Sequence, residues 1–429
     1  MRRASAVSAL TLGLVVTAAY GLAPGSVAFA AGFTWPQLTV SAHADRSGSV
    51  PLNGAQAQNP AYVVLTAGVA ARRVAFQLDG VLTRTDYAAP FDLTGSNVDG
   101  AAVPAVLTPG AHTVTATVTW VGGGRTLTRA QFVTAPAPTP VTGRPFTAGS
   151  AFNLQIPTAP VLDPASSTWA GQLGAPGNAQ SALLDETGVA VYEANAATPR
   201  YTVRCTESWG PCPLAAQPVP IPIGARAPTG SDGAMVVIDS STRKSYEFWQ
   251  ARPTGTGGWE ASWGSVNSID GDGYDASGSS PTGAGISRLA GVVRLQELAA
   301  GRINHALVFA TGISSPGTFR YPASKTDGGN MFGSATPLPE GARVQLDPSI
   351  NVDAITNITA AEKAVARALQ TYGAYNIDNG GYRAMGFSFE TASAGEASPY
   401  AGAGLAWDYA GMPHIPWNRL QVLRQWDGR

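Results

Sequence analysis

The chain has 429 residues, a charged fraction of only 13% and a formal net charge of −1. A nearly neutral chain lacks the basic surface that binding to nucleic acid or to anionic membranes requires, so neither partner is expected. With 44% hydrophobic residues it can bury two cores, and its 50 glycines and 32 prolines are typical of short strands joined by turns. The composition therefore predicts a mainly β protein of two domains.

The first thirty residues have the pattern of a secretory signal peptide. Arg2 and Arg3 precede the apolar run AVSALTLGLVVTAAYGL, and AFA at 28–30 supplies the small residues of a cleavage site. An uncleaved membrane anchor is the alternative, and no other stretch reaches the ~18 apolar residues that span a bilayer. We expect 1–30 to be removed and the mature protein to be extracellular, without membrane contact.

Residues 33–134 predict a small β-sandwich, because short runs alternate apolar and polar residues between turn signals. The segments VAFQLDG, YAAPFDL and LTPGAHTVTATV resemble bacterial immunoglobulin-like modules attached to secreted enzymes and adhesins, over about 60–134. The resemblance implies a spacer or a binding accessory without catalytic residues. APAPTPVTGRP at 135–145 is typical of an extended linker, so a second domain is expected over 146–429.

The second domain has longer strand patterns and one clear helix. LQELAAGRINHALVF, residues 295–309, predicts a strand, a tight turn and a second strand. TAAEKAVARALQTYG predicts a helix, with Thr359 and Glu362 in capping-box spacing and Gly373 as its stop. Asn379 and Gly380 are typical of a type I′ hairpin turn. The expected fold is a larger jelly-roll-type β-sandwich with one flanking helix.

The two cysteines, Cys205 and Cys212, enclose the segment TESWGP. A short loop with Gly and Pro between two cysteines suits a disulfide formed in an oxidising compartment. A metal-binding pair is the alternative, but no second Cys or His pair accompanies it. The spacing favours a disulfide.

Several segments of the second domain together carry a wider resemblance. The order of PIPIGA, DGAMVVIDSSTRKSYEFW, GVVRLQELAAGRINHALVF, YPASK, LPEGARVQL and ARALQTYGAYNIDNGG is similar to an uncharacterised family of secreted bacterial proteins, mainly actinobacterial, over about 150–426. That family often has a histidine near two positions at which this chain has Gly233 and Ala234, and Ser324 and Lys325. The resemblance implies a secreted β-sandwich protein.

Common catalytic signatures are missing from the sequence. The histidines at 43, 112, 305 and 414 are scattered, no Gly-x-Ser-x-Gly elbow occurs and no phosphate-binding glycine loop precedes a helix. The loop DGDGYDASG is a candidate for Ca²⁺ through Asp270, Asp272 and Asp275, although it lacks EF-hand spacing and a solvated loop is the alternative. No other cofactor is expected.

Aromatic and carboxylate side chains of the second domain are compatible with glycan chemistry. Aromatic faces stack on sugar rings, and general acid/base catalysis needs carboxylates or a histidine held by rigid strands. The candidate catalytic residues are Glu297, His305 and Asp378. The candidate substrate-binding residues are Arg294, Glu247, Trp259, Trp263 and Tyr372.

His305 has two open interpretations. Among apolar neighbours it would be a buried, hydrogen-bonded structural residue. On a cleft wall, Glu297 or Arg294 would orient its ring and set its pKa.

These residues favour a secreted protein that recognises or processes an extracellular polysaccharide. As an enzyme it would be a glycoside hydrolase or a polysaccharide lyase, with Glu297 or Asp378 as acid/base and His305 as proton shuttle or orienting residue. The alternative is a non-catalytic surface or adhesion protein in which the same residues are structural. A glycan is the expected partner, and we expect a monomer.

Overall fold

A computed structural model describes residues 35–41, 45–57, 61–67, 70–97, 100–105, 107–134, 144–254, 258–381, 383–392 and 399–425. The predicted signal peptide, His43 and most of the predicted linker lie outside these residues. No helix within the described ranges is long and apolar enough to cross a membrane.

The first region is an immunoglobulin-like β-sandwich, as predicted. Its strands are β1 (Gln37–Ser41), β2 (Val50–Pro51), β3 (Gln56–Ala57), β4 (Tyr62–Thr66), β5 (Ala71–Leu78), β6 (Val81–Asp86), β7 (Phe91–Asp92), β8 (Gly110–Trp120) and β9 (Arg125–Thr134). They form sheets of order β2-β1-β4-β7 and β3-β9-β8-β5-β6. Val114, Ala116 and Val118 alternate with half-buried threonines along β8, so one face of the strand joins the core.

The second region is also mainly β. Its strands are β10 (Gln180–Leu183), β11 (Ala190–Ala194), β12 (Arg200–Tyr201), β13 (Val203–Cys205), β14 (Val219–Pro220), β15 (Met235–Asp239), β16 (Lys244–Trp249), β17 (Arg252–Pro253), β18 (Trp259–Ala261), β19 (Trp263–Ser268), β20 (Leu307–Ala310), β21 (Ser314–Phe319), β22 (Leu338–Glu340), β23 (Arg343–Leu346), β24 (Ala374–Asp378), β25 (Met385–Ser388), β26 (Ala410–Gly411) and β27 (Leu420–Val422). The mainly β prediction is thus confirmed.

Four helices lie between these strands in the described ranges. They are α1 (Ser166–Leu173), α2 (Leu295–Ala299), α3 (Ala360–Thr371) and α4 (Pro399–Ala403), with short 3-10 turns at Pro213–Ala216, Val352–Ala354 and Trp417–Arg419. The helix predicted from capping chemistry is α3: Thr359 accepts from the Glu362 N–H at 3.2 Å, and Glu362 accepts from the Thr359 N–H at 2.9 Å. Gly373 follows with φ +73°, a conformation that favours glycine at a helix end.

A central sheet of order β26-β10-β25-β20-β24-β23-β27 organises the second region. Leu307 and Phe309 of β20 pack in the core cluster that includes α1 and α3, whereas Val308 packs in the cluster that includes β15. This alternation buries both faces of the strand, which explains its continuous apolar sequence. A second sheet, β11-β15-β16-β19, therefore packs face to face with the central one.

The strand directions differ from those of a jelly roll, which pairs its strands antiparallel. Here β10 pairs parallel with β25, β20 with β24, β11 with β15, and β13 with β18. The helices cover one face of the central sheet, and more than one helix flanks it. Parallel pairs need crossover connections, which accounts for the helical segments between strands.

The predicted boundaries of module, linker and second domain stay predictions, although each region has its own core.

The predicted hairpin over 295–309 is wrong. Leu295–Ala299 is the helix α2, and only Leu307–Ala310 is a strand. The residues of LQELAA are strong helix formers, and the Glu297 carboxylate accepts from the Arg294 N–H at 3.0 Å at the start of the helix. Helix propensity therefore determined the structure of this segment. The alternation of apolar and polar residues that suggested a strand extends over too few residues to be decisive.

The predicted hairpin turn at Asn379 and Gly380 is also wrong. Both β24 and β25 pair with β20, which lies between them, so this segment does not join two adjacent strands. The Asn379 N–H instead donates to the carboxylate of Asp378, the last residue of β24, and to that of Asp327 in the loop between β21 and β22.

Candidate active site

A cavity of about 280 Å³ opens where β16 and β24 end, β19 begins and several loops meet. We call it the acid–tryptophan cavity. Its lining comprises Trp209, Asp232, Trp249, Trp263, Pro281, Thr282, Gly283, Arg288, Lys325, Thr326, Asp327, Asp378 and Asn379. It combines a wall of indole rings with several carboxylates, and two of the residues predicted from sequence, Trp263 and Asp378, meet in it.

The indole wall is built by the pairing of β16 with β19. Trp249 and Trp263 are direct cross-strand partners, so their side chains lie on the same face of the sheet. Trp209 stacks on Trp249, with ring centroids 5.7 Å apart and planes 19° apart, and lies 5.6 Å from Trp263. The Trp263 ring is fixed from behind, since its Nε1–H donates to the Ser279 carbonyl at 2.7 Å.

Trp209 is held by the predicted disulfide, which is confirmed. Cys205 and Cys212 are bonded with an S–S distance of 2.03 Å. The closed loop presents Trp209, whose side chain is 62% exposed despite its size. A large exposed indole at a cavity edge is typical of a surface that contacts a ligand.

Asp378 is the last residue of β24 and directly follows the buried Ile377. Burial, followed by repulsion from the Asp327 carboxylate, raises the pKa of Asp378 to about 7. The Arg288 guanidinium, 4.0 Å away, opposes this shift. Because 24% of its side chain remains exposed, Asp378 can exchange a proton with a bound molecule near neutral pH.

A second carboxylate lies beside Asp378. The Asn379 N–H donates to Asp327 Oδ1 at 3.2 Å and to Asp378 Oδ1 at 3.0 Å, so one backbone donor serves both acids. Behind them Glu340 is fully buried, and neither of its oxygens has a hydrogen-bond partner of normal geometry among the described residues. Burial, together with the neighbouring Asp327 and Asp378, raises the pKa of Glu340 to about 9, so this group is neutral at pH 7.

Two cations complete the cavity. The Arg288 backbone N–H donates to Glu247 Oε2 at 2.7 Å, and its Nε donates to the Pro281 carbonyl at 3.1 Å. Burial lowers the pKa of Lys325, although the Asp327 and Asp378 carboxylates oppose this shift. The cavity is therefore lined by both acids and bases rather than by charges of one sign.

The other predicted catalytic residues line a different cavity, of about 380 Å³, which we call the His305 cavity. Glu297, His305 and Arg294 do converge there, but Asp378 does not join them. Arg294 pairs with Glu390 at 2.8 Å and with Glu193 at 3.4 Å. The sequence left open whether Glu297, His305 and Asp378 share one site, and in the structure Asp378 lines a different cavity from the other two.

His305 has the geometry of a structural residue. Its Nε2 lies 3.0 Å from Glu297 Oε2 and its Nδ1 lies 2.9 Å from the Ala306 carbonyl, so both ring nitrogens face acceptors. Burial alone would lower the pKa of His305, but the Glu297 carboxylate and the carbonyl raise it. With only 6% of the residue exposed, the buried interpretation agrees with the structure.

The remaining predicted binding residues are largely buried. Glu247 is fully buried and accepts from the hydroxyls of Ser245 at 2.7 Å and Ser287 at 2.5 Å; burial raises its pKa. Trp259 and Tyr372 belong to core clusters and line neither cavity. Glu247 thus supports the acid–tryptophan cavity indirectly, by holding the backbone of Arg288.

The acidic loop proposed for Ca²⁺ is satisfied by protein groups. Asp270 pairs with Arg243 at 2.5 Å, and Asp272 Oδ1 accepts from the Tyr274 N–H at 3.0 Å. Asp275 accepts from three nearby serines. The described part of the chain contains no group of three or more His, Cys, Asp or Glu residues that could hold a metal ion. The calcium interpretation has no support here.

Sequence reasoning missed Trp209, Asp232, Asp327, Glu340 and the cations. Signals for some of them were available: Trp209 lies inside the disulfide loop, and Lys325 and Asp327 are charged residues beside a Gly-Gly pair in a chain poor in charge. The chain departs from the resembling family at 233–234 and at 324–325. Residues 233–234 directly follow Asp232, which lines the cavity, and Lys325 is itself part of the lining. Glu340 gave no signal, because its neighbours in the sequence are unremarkable.

Comparisons with known proteins give only distant likeness. No protein-family model matches the chain and no curated protein matches it. Among solved structures, it is similar to the fibronectin(III)-like modules of CbhA from Clostridium thermocellum, at 17% identity over 20% of this chain and 94% of that chain, with a TM-score of 0.16. CopC from Methylosinus trichosporium OB3b is similar at 16% identity over 20% and 86%, with a TM-score of 0.15.

Proposed function

We propose that the protein is secreted and hydrolyses an extracellular polysaccharide in the acid–tryptophan cavity. The observation that carries this proposal is Asp378, a carboxyl group whose pKa is raised to about 7, beside the carboxylate of Asp327 and under a wall of tryptophans. Glycoside hydrolysis uses this combination, with one carboxyl that gives a proton and a second that stays ionised.

The indole wall supports a sugar as the ligand. Sugar rings present apolar C–H faces that pack on aromatic rings, while their hydroxyls need polar partners at the rim. Trp209 offers an exposed ring, and Asp232 and Lys325 supply polar groups beside it.

Export is supported by separate features. The first thirty residues have signal-peptide composition, and the Cys205–Cys212 disulfide is typical of oxidising compartments. The immunoglobulin-like module would then be an accessory that positions the catalytic region on a surface or a polymer.

The test is release of reducing ends from a panel of soluble polysaccharides. We expect the wild-type protein to cleave at least one of them and Asp378→Asn to lose ~10² to 10⁴ of the rate, as is common when one acid/base group is removed. Asp353→Asn is the matched control, because Asp353 is an exposed aspartate paired with Arg367 outside the cavity. Binding without any release would favour the adhesion alternative, and full activity of Asp378→Asn would exclude Asp378 as the acid.

A further inference from the structure

From the spacing of the two acids we infer that Asp327 is a nucleophile, so that cleavage is a double displacement that retains the anomeric configuration. This inference rests on the proposed function and names a residue that sequence reasoning did not identify. Asp378 is the acid/base partner in the same scheme.

The shared donor limits the distance between the two carboxylates. Both Asp327 Oδ1 and Asp378 Oδ1 lie within 3.2 Å of the Asn379 nitrogen. The two oxygens are therefore at most about 6 Å apart, which is below the ~6.5–9.5 Å between carboxylates that inverting enzymes need to admit a water molecule. Retaining enzymes have a spacing of ~5–5.5 Å, and the nucleophile then contacts the sugar directly.

Asp327 also has the environment of a nucleophile. It is exposed to the cavity, whereas its neighbour Glu340 is fully buried and carries a proton. A neutral Glu340 adds no negative charge beside Asp327, the group that a sugar can reach. Lys325 lies in the same lining, and its electrostatic interaction with Asp327 opposes the lowering of the Lys325 pKa by burial.

Gly283 allows this position of Asp327. A Cβ atom at residue 283 would lie 2.2 Å from Asp327 Oδ1, closer than real Cβ atoms approach another atom. An alanine at 283 must therefore displace the Asp327 carboxylate without removing it. The glycine serves as a positioning residue for the proposed nucleophile.

The two steps balance as follows. Asp378 gives its proton to the glycosidic oxygen as the C1–O bond breaks, and an Asp327 oxygen forms an ester bond to C1. The leaving sugar departs as an alcohol. Water then attacks C1, its proton passes to the Asp378 carboxylate, and the ester bond breaks to restore the Asp327 carboxylate.

The experiment is ¹H NMR of the first-formed anomer during hydrolysis of 2,4-dinitrophenyl glycosides of glucose, galactose, mannose and xylose, each as α and β anomer. Retention supports the inference. Inversion overturns it while leaving the proposed hydrolysis intact. If the protein hydrolyses none of these glycosides or the polysaccharides of the panel, the proposed function fails and the inference fails with it.

Two variants test the residue assignment. Asp327→Gly should be inactive on these glycosides but recover turnover with added azide, giving a glycosyl azide of inverted configuration; a fully active Asp327→Gly would overturn the assignment. Gly283→Ala should slow the first step ~10²-fold, as misplacement of a reacting group by about 1 Å does. Gly317→Ala is the control, because a Cβ at that position meets nothing within 4 Å. Equal rates for the two alanine variants would contradict the proposed position of Asp327.

Discussion

Replacing His305 by glutamine removes half of a buried ion pair. In the native protein the His305 Nε2 contacts Glu297 at 3.0 Å and its Nδ1 contacts the Ala306 carbonyl at 2.9 Å. Glutamine has one amide group and cannot donate in both directions from the same position. The variant therefore leaves at least one buried acceptor unpaired and takes the positive charge away from Glu297.

The size of the effect follows from burial. Removing one partner of a buried ion pair costs ~3–5 kcal/mol. The cost is smaller here because Glu297 still accepts a hydrogen bond from the Arg294 N–H and 15% of its side chain is exposed to solvent. We therefore expect a loss of about 2–3 kcal/mol in the free energy of unfolding. For a domain of this size that loss lowers Tm by roughly 4–12 °C.

The pH dependence has a definite sign. The pKa of His305 is raised in the folded protein. Its contribution to the free energy of unfolding is therefore complete below the pKa of the unfolded chain, near 6.5, and is lost as the pH rises through the pKa of the folded protein. The pKa of Glu297 is lowered in the folded protein, although burial opposes this shift. Its contribution to the free energy of unfolding is therefore present above the pKa of the unfolded chain and is lost at more acidic pH. Wild type and His305→Gln should differ most between about pH 4.5 and 6.5.

Calorimetric Tm values at pH 5.5 and pH 9 measure this difference. His414→Gln is the matched control, because His414 also pairs with a glutamate but its side chain is 37% exposed. In this variant Glu362 still accepts hydrogen bonds from the backbone N–H groups of residues 359 and 414. We expect its Tm to change little. An unchanged Tm for His305→Gln at pH 5.5, or an effect that grows toward pH 9, would refute the structural role of His305.

Three further predictions concern the disulfide, the domain boundary and the acid. Reduction of Cys205–Cys212 should remove ~2–3 kcal/mol of stability and weaken polysaccharide binding through Trp209; free thiols in the native protein would contradict the secreted state. A chain beginning at residue 146 should fold alone with an unchanged calorimetric transition, whereas aggregation of that chain only would show a shared core. Polysaccharide hydrolysis should fall as the pH rises through about 7, where Asp378 loses its proton, and a rate that stays flat to pH 9 would exclude it as the acid.

The features that were predictable from sequence depend on local chemistry. Thr359, Glu362 and Gly373 define the ends of α3 through contacts within five residues, and the structure has them as expected. Cys205 and Cys212 are close in sequence and form the expected disulfide. Each required no knowledge of distant segments.

The candidate site depends on contacts that no local pattern encodes. Asp378 was a candidate because of its residue type, but its neighbours Asp327 and Arg288 come from separate loops, 51 and 90 residues earlier in the chain. Its high pKa arises from burial and repulsion in the folded cavity. Glu297 and His305 do meet, although Glu297 lies on the helix α2 and not on a hairpin strand. Asp378 lines a different cavity, and no local pattern in the sequence indicates this separation.

Affinity electrophoresis in gels that contain a polysaccharide tests the cavity most directly. The Asp378→Asn variant should be retarded, because it keeps the indole wall and lacks only the acid. Asp378→Asn combined with Trp209→Ala should migrate as in a gel without polysaccharide, while Asp378→Asn combined with Trp407→Ala, an equally exposed tryptophan outside the cavity, should remain retarded. Equal retardation of all three variants would contradict binding at the acid–tryptophan cavity.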